Sequence, residues 1–326
     1  MINHLKTILF LFTSIYFSSS VYSNPPNSEE DLLYTTLKIT CKAKVKNNTG
    51  PGFIDITKSG TGFIFDFKEK QVSNIQPSFR VLSSADQYYE VVENPYLVTN
   101  KHVIKDAISG VLNFHFTDRT NGAYTIGTPT SPFQNGFIPH DNADLCAMPL
   151  HGIIGQVNTS INPITDWHQQ TKQQKKVFYH SLNFNHLVNF QNEKAIQDIL
   201  MVGYPIGISD DVNNFPIVRK GITSSHLRTD FQGKPEVLID AACFPGSSGS
   251  PVFLCQSPGS NFFRAKLLGT FWGGPQYTAN GNIVCNDNTI GCEEIPTTYT
   301  ATRIPANLGF VIKSTELMKL QEKIFQ

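Results

Sequence analysis

The chain has 326 residues, 40% of them hydrophobic, enough to bury one large core or two packed ones. Its 26 basic and 26 acidic residues cancel, which leaves neither the cationic excess of a nucleic-acid binder nor the acidic block of a solvating tail. The expected class is a globular protein with no nucleic-acid partner.

At the start, Lys6 precedes an apolar run from Ile8 to Phe17, and Val21-Tyr22-Ser23 supplies a small-residue cleavage site. Residues 1–23 are therefore expected to be a secretory signal, and the mature protein periplasmic or secreted. The run is about half the ~20 residues of a spanning helix, so no stable membrane anchor is expected once the signal is cleaved. All six cysteines follow it, an even number that suits disulfides in an exported chain. Cys285 and Cys292 bracket a short polar loop and are expected to bridge. Cys243 and Cys255 flank a serine turn and could join its strands, while Cys41 and Cys146 read as buried thiols. There is no C-x-x-C, and His180 and His186 are not at ligand spacing, so neither a metal nor a cofactor is expected.

After a polar leader, Leu37, Ile39, Cys41, Ala43 and Val45 alternate with polar residues, the period of a half-buried strand. A second strand runs over 59–67, and its opening glycines imply close backbone approach. Residues 68–94 read as an inserted hairpin. Tyr96 to Asn100 is a short buried strand that turns at His102 into a brief helix, a corner where a rigid scaffold can present a catalytic side chain. A strand over 111–116 and a long loop over 119–140 follow. Asp144 then opens the apolar run Leu145 to Leu150, where a carboxylate needs a partner such as an imidazole N–H. Asp141 is the alternative acid. Residues 155–197 read as a partly helical connection. Strands are expected over 199–205, 217–223, 236–240, 251–255, 267–274 and 308–312, with a terminal helix from Ser314 docking Leu317, Leu320 and Ile324. This organisation predicts an all-β protein of two lobes: 24–154 with the histidine and the acid, 155–197 between, and 198–326 with the serine.

The stretch Ala242-Cys243-Phe244-Pro245-Gly246-Ser247-Ser248-Gly249-Ser250-Pro251 carries the chemistry. A serine hydroxyl needs a base to take its proton and N–H groups to receive an oxyanion. Gly246 and Gly249 let the chain turn so that the Gly246 and Ser248 N–H groups converge.

The order His102, Asp144, Ser248 is the chymotrypsin-type order of the triad. Together with Gly60-Thr61-Gly62-Phe63-Ile64, Thr99-Asn100-Lys101-His102-Val103 and Gly246-Ser247-Ser248-Gly249-Ser250-Pro251, it resembles the bacterial trypsin-like peptidases. Gly203-Tyr204-Pro205-Ile206-Gly207 and Arg219-Lys220-Gly221-Ile222-Thr223-Ser224 are similar to HtrA/Deg peptidases, and Trp272-Gly273-Gly274 to glutamyl endopeptidases. The resemblance implies two packed six-stranded antiparallel β-barrels with a C-terminal helix, and an exported serine endopeptidase acting on polypeptides. It implies Ser248 as nucleophile, His102 as base, Asp144 as its orienting acid, and Gly246 and Ser248 N–H groups as the oxyanion hole. Phe271, Trp272 and Gly273 would form the edge on which a substrate strand pairs, and Ala242 the base of an uncharged pocket. Ser247 stands where trypsin keeps an acid for its new N-terminus, so no activation of that kind is expected. Phe271 stands where glutamyl endopeptidases keep a histidine, which argues against glutamate preference. The alternative function is a catalytically silent relative that binds peptide or protein in the same cleft.

Overall fold

The computed structural model describes residues 26, 28–47, 50–67, 94–162, 174–255, 265–282 and 299–326. The expected signal, the hairpin over 68–94 apart from its last residue, and the Cys285–Cys292 bridge lie outside the described residues.

The first lobe holds β1 (Thr36–Lys46), β2 (Phe53–Asp66), β3 (Pro95–Thr99), β4 (Ala107–Phe116), β5 (Asn121–Ile126), β6 (Ile138–Pro139), β7 (Cys146–Pro149) and β8 (Val177–Phe178). They pair antiparallel in the order β5-β4-β1-β2-β3-β7-β6, with β8 on β4. The second lobe holds β9 (Asp198–Gly203), β10 (Ile217–Thr223), β11 (Glu236–Asp240), β12 (Pro251–Cys255), β13 (Ala265–Gly273) and, further on, β16 (Leu308–Lys313). These six close into a barrel in the order β10-β11-β16-β13-β12-β9. Between β13 and β16, β14 (Gln276–Asn282) and β15 (Tyr299–Pro305) form a separate ribbon. Helices α1 (Lys101–Ile104), α2 (His151–Ile161) and α3 (Glu316–Ile324) complete the described chain.

The period of two in the strands divides the core into three. On β2, Ile64 faces the interior of the first lobe, while Phe63 and Phe65, with Phe67 just beyond the strand, face a second cluster shared between the lobes. On β3, Leu97 points inward, and Tyr96 and Val98 join that shared cluster. From the other side it receives Val202, Phe253, Leu267 and Ile312, with Leu317 and Leu320 of α3. A third cluster, with Ile199, Met201, Val237, Ile239, Leu254 and Val311, fills the barrel of the second lobe. Each large apolar side chain so buried contributes roughly 1.5–3 kcal/mol, so the shared layer is what holds the lobes face to face.

Several expectations change. The helix after Asn100 stops at Ile104, because Asp106 adopts φ 60 and Ala107 already enters β4. The loop expected over 119–140 contains β5 and β6, and the β14–β15 ribbon has no counterpart in the hydrophobic pattern. Cys243 and Cys255 are free thiols, as are Cys41 and Cys146. Cys243 joins the second-lobe core, and Cys255 sits at the far end of β12 opposite Ala265. The length of β12 separates the pair, and the chain before Ser248 is a loop rather than a partner strand. Burial pushes the thiols up, Cys243 and Cys255 to about 11 and Cys41 to about 12.

Candidate active site

His102 stands on α1 at the end of β3, and Asp144 in the loop leading into β7. Because β3 and β7 are antiparallel neighbours, pairing Thr99 with Cys146, the two residues that follow and precede them meet at one end of the sheet. His102 Nδ1 lies 2.5 Å from Asp144 Oδ2, and the His102 backbone N–H donates to Oδ1 at 3.1 Å. The Asn100 side chain donates to the Asp144 carbonyl at 2.7 Å. With its Nδ1 proton held by the carboxylate, the imidazole presents a lone pair at Nε2. Asp141 is elsewhere: it is exposed and pairs with Lys323 at 3.0 Å.

The serine stretch makes two successive turns. Ser247 N–H donates to the Phe244 carbonyl at 3.1 Å, with Pro245 second and Gly246 third at φ 86. Ser250 N–H donates to the Ser247 carbonyl at 3.0 Å, with Gly249 third at φ 87. A positive φ at the third position is what a type II turn requires. At Gly249 a side chain is also barred by space, since a Cβ would run into the Thr61 carbonyl. Among the described residues the N–H groups of Gly246 and Ser248 donate to no acceptor, whereas that of Ser247 between them is used. Gly246, Ser248 and His102 line one cavity of about 400 Å³, with Lys58, Ser59, Val103, Ile206 and Pro245. The Ser248 hydroxyl donates to the Trp272 carbonyl at 3.2 Å, and no hydrogen bond joins it to His102.

The first lobe also holds the turn from outside. Thr61 N–H donates to the Ser248 carbonyl at 2.8 Å, and its hydroxyl donates to the Gly246 carbonyl at 3.2 Å. That hydroxyl accepts from Tyr204 N–H at 3.0 Å, and Thr99 fixes the Thr61 carbonyl at 2.7 Å. Thr61 was singled out in the sequence only through its flanking glycines. Its hydroxyl has no solvent contact, and its partners lie far along the chain.

On the other side of Ser248 is a smaller cavity of about 200 Å³, whose lining includes Cys243, Phe271, Gly273, Pro305 and Leu308 and no charged side chain. Phe271 and Gly273 are thus at the cleft. Trp272 supplies its carbonyl to Ser248 and stacks its ring on Phe310 at 5.4 Å. Ala242 does not line this cavity: it is exposed, its carbonyl turned to Arg219, and Cys243 takes the place expected for it. Pairing of β13 with β12 ends at Thr270, and Phe271 is still tied to the serine stretch, donating to the Ser250 carbonyl at 2.9 Å and accepting from Gly249 N–H at 2.8 Å. Beyond it Trp272 and Gly273 are unpaired with β12 beside Ser248, the geometry on which an extended peptide adds as a strand.

A sequence model of the trypsin-like peptidase domain matches residues 81–257, more than half of the chain. No curated protein sequence matches. Among solved structures, an HtrA-type protease with a decapeptide is 14% identical, with 90% of this chain and 64% of that one covered and a TM-score of 0.46. Another HtrA-type structure, with a tripeptide, is 14% identical, with coverages of 91% and 62% and a TM-score of 0.42. The inactive form of Rv3671c from M. tuberculosis is 15% identical, with coverages of 90% and 87% and a TM-score of 0.38. The chain spans less than two thirds of the length of the two HtrA-type proteins.

Proposed function

Because the chain belongs to the trypsin-like peptidase domain family and has a serine protease fold, we propose that it is an exported serine endopeptidase working through Ser248, His102 and Asp144. The observation that carries this is one cavity containing Ser248, the carboxylate-bound His102 and the two uncommitted N–H groups of Gly246 and Ser248. The hydroxyl leaves the Trp272 carbonyl and gives its proton to His102 Nε2 as Oγ attacks the scissile carbonyl. The carbonyl oxygen, now anionic, takes the Gly246 and Ser248 N–H groups, each donor worth roughly 3–4 kcal/mol in such sites. Asp144 stabilises the imidazolium, which then protonates the leaving amine. The acyl-enzyme is released by water, activated by the same histidine. The substrate chain pairs with the strand edge at Trp272 and Gly273, next to Phe271, and places an uncharged, small or apolar side chain in the cavity beside Cys243 and Leu308. Export rests on the signal read over residues 1–23.

A second reading, a silent peptide-binding relative, draws on the Ser248 hydroxyl being bonded to Trp272 rather than to His102. Catalytic bonds are often unformed without substrate. A fluorophosphonate probe separates the two. Labelling of the wild type but not of Ser248→Ala is expected, and a folded wild type that stays unlabelled would overturn the enzyme reading. Cleavage-site profiling then tests the pocket, where a dominant cut after Glu or Arg would contradict an uncharged preference.

A further inference from the structure

Arg219 is on β10 with its guanidinium directed at the serine stretch. One terminal nitrogen donates to the Ala242 carbonyl, and the other donates to the Ser247 hydroxyl at 2.8 Å. Strand β10 is held along its length by β9, with Arg219 opposite Met201, so the arginine starts from a fixed backbone. Ser247 is fully buried, and all its polar groups are engaged. Its N–H goes to Phe244, its carbonyl accepts from Ser250, and its hydroxyl accepts from Arg219. It lies between the two residues whose N–H groups are uncommitted.

Among the described residues no carboxylate pairs with Arg219, and its Nε is buried without a hydrogen-bond partner. Desolvation holds its pKa below the usual arginine range. Placing a guanidinium where it is poorly solvated and unpaired with an acid is costly. What the position provides is two charge-assisted bonds to neutral oxygens at both ends of the segment 242–247. A planar fork can span two such acceptors, and a single ammonium cannot hold the same geometry.

We propose that Arg219 is the positioning residue of the nucleophile turn: by joining the Ala242 carbonyl to the Ser247 hydroxyl it holds the Gly246 and Ser248 N–H groups aimed into the cavity shared with His102. This rests on the catalytic reading above and gives the turn an internal cationic anchor, drawn from the body of the second barrel. Arg219 touches no substrate. Its effect passes through the orientation of the donors that receive the oxyanion.

The test compares the full-length protein with Arg219→Met, Arg219→Lys, Ser247→Ala and the double variant Arg219→Met/Ser247→Ala. It measures thermal unfolding, kcat and KM per titrated active site on one peptide substrate, and the rate of fluorophosphonate labelling. Arg219→Met is expected to lower kcat on the order of 100-fold per active site with KM within a few-fold, since misaligned donors cost the transition state and not ground-state binding. Arg219→Lys is expected to recover part of that loss. The double variant should be little worse than Arg219→Met, because both changes break the same link. A folded Arg219→Met with kcat within about threefold of wild type overturns the proposal, and so does Arg219→Lys at full kcat or full additivity in the double variant. If Arg219→Met does not fold, the Lys and Ser247→Ala variants decide by the same split. Wild type and Arg219→Met labelling equally fast would overturn the anchor alone. A folded wild type that never labels would overturn the catalytic reading and the anchor with it.

Discussion

Asp144 takes an N–H from the His102 backbone and another from its ring, so the carboxylate fixes both the position and the tautomer of the imidazole. Replacing it by Asn swaps one acceptor oxygen for a donor and favours the wrong tautomer, for which the expected loss in kcat is about 10⁴-fold. Asp141→Asn is expected to leave kcat unchanged, and steady-state kinetics on the two variants check the pair. Gly249 is as tightly constrained: its φ of 87 and the Thr61 carbonyl beside it leave no room for a Cβ. Gly249→Ala is expected to abolish fluorophosphonate labelling and to lower the Tm. The residues that meet at the cleft were readable in the sequence, because a histidine at a strand end, an acid before an apolar run and a serine between glycines each break a local pattern. Thr61 and Arg219 were harder to read. A threonine in a strand breaks no pattern, and its link to Gly246 spans 185 positions. On β10 the apolar Val218 and Ile222 are exposed while Arg219 shares the partly buried phase of Ile217, so alternation of side-chain polarity points the wrong way there.

Helix α3 acts on the site through the loop that carries Asp144. His140 Nδ1 accepts from the N–H groups of Asn142 and Ala143, so its proton is on Nε2, which faces Glu316 at 3.3 Å. Both side chains are almost fully buried, and burial holds the His140 pKa below its usual value despite the carboxylate. The His140–Glu316 contact lies outside hydrogen-bond geometry and leaves Nε2 without a hydrogen bond, so Glu316→Ala removes a close buried polar contact rather than a formed bond. The expected result is a lower Tm together with faster hydrogen exchange at residues 140–144, read by mass spectrometry. At this scale the strands with one buried face were legible, because alternation reports burial. The β14–β15 ribbon was not: its described strand residues are mostly exposed, so there is no apolar phase to detect. Strand β5 escaped for a related reason, since it has no fully buried residue and opens on Asn121-Gly122.

Across the whole molecule, the two lobes meet through an aromatic group as well as through the shared apolar layer. His115 of β4 stacks on Phe215 at 5.4 Å and meets Tyr34 edge-on at 5.0 Å. Burial pushes its pKa down to about 4, against a smaller raising effect of the Asn214 backbone. The unfolded chain takes this proton near pH 6.5 and the folded chain only near 4. Stability held by neutral His115 is therefore fully present above about pH 6.5 and is lost as the pH falls toward 4, by up to about 1.4 kcal/mol per pH unit. Denaturant midpoints at pH 7.5 and pH 5 check this, with His115→Phe expected to lose less on acidification than the wild type. The two-lobe division follows from the run of short strands, whereas the strapping of the serine turn by the first lobe could only emerge once the lobes were seen together. That strapping bears on what counts as a unit of this protein. The second barrel encodes Ser248, the proposed nucleophile, but the Gly246 and Ser248 carbonyls are bonded to Thr61 of β2. A fragment carrying residues 198–326 alone would hold Ser248 in an unstrapped turn, without His102 or Asp144, and is expected not to label with a fluorophosphonate. On the proposed reading, complementation with the first lobe is what would assemble the nucleophile, and a change in β2 would be a change in the active site.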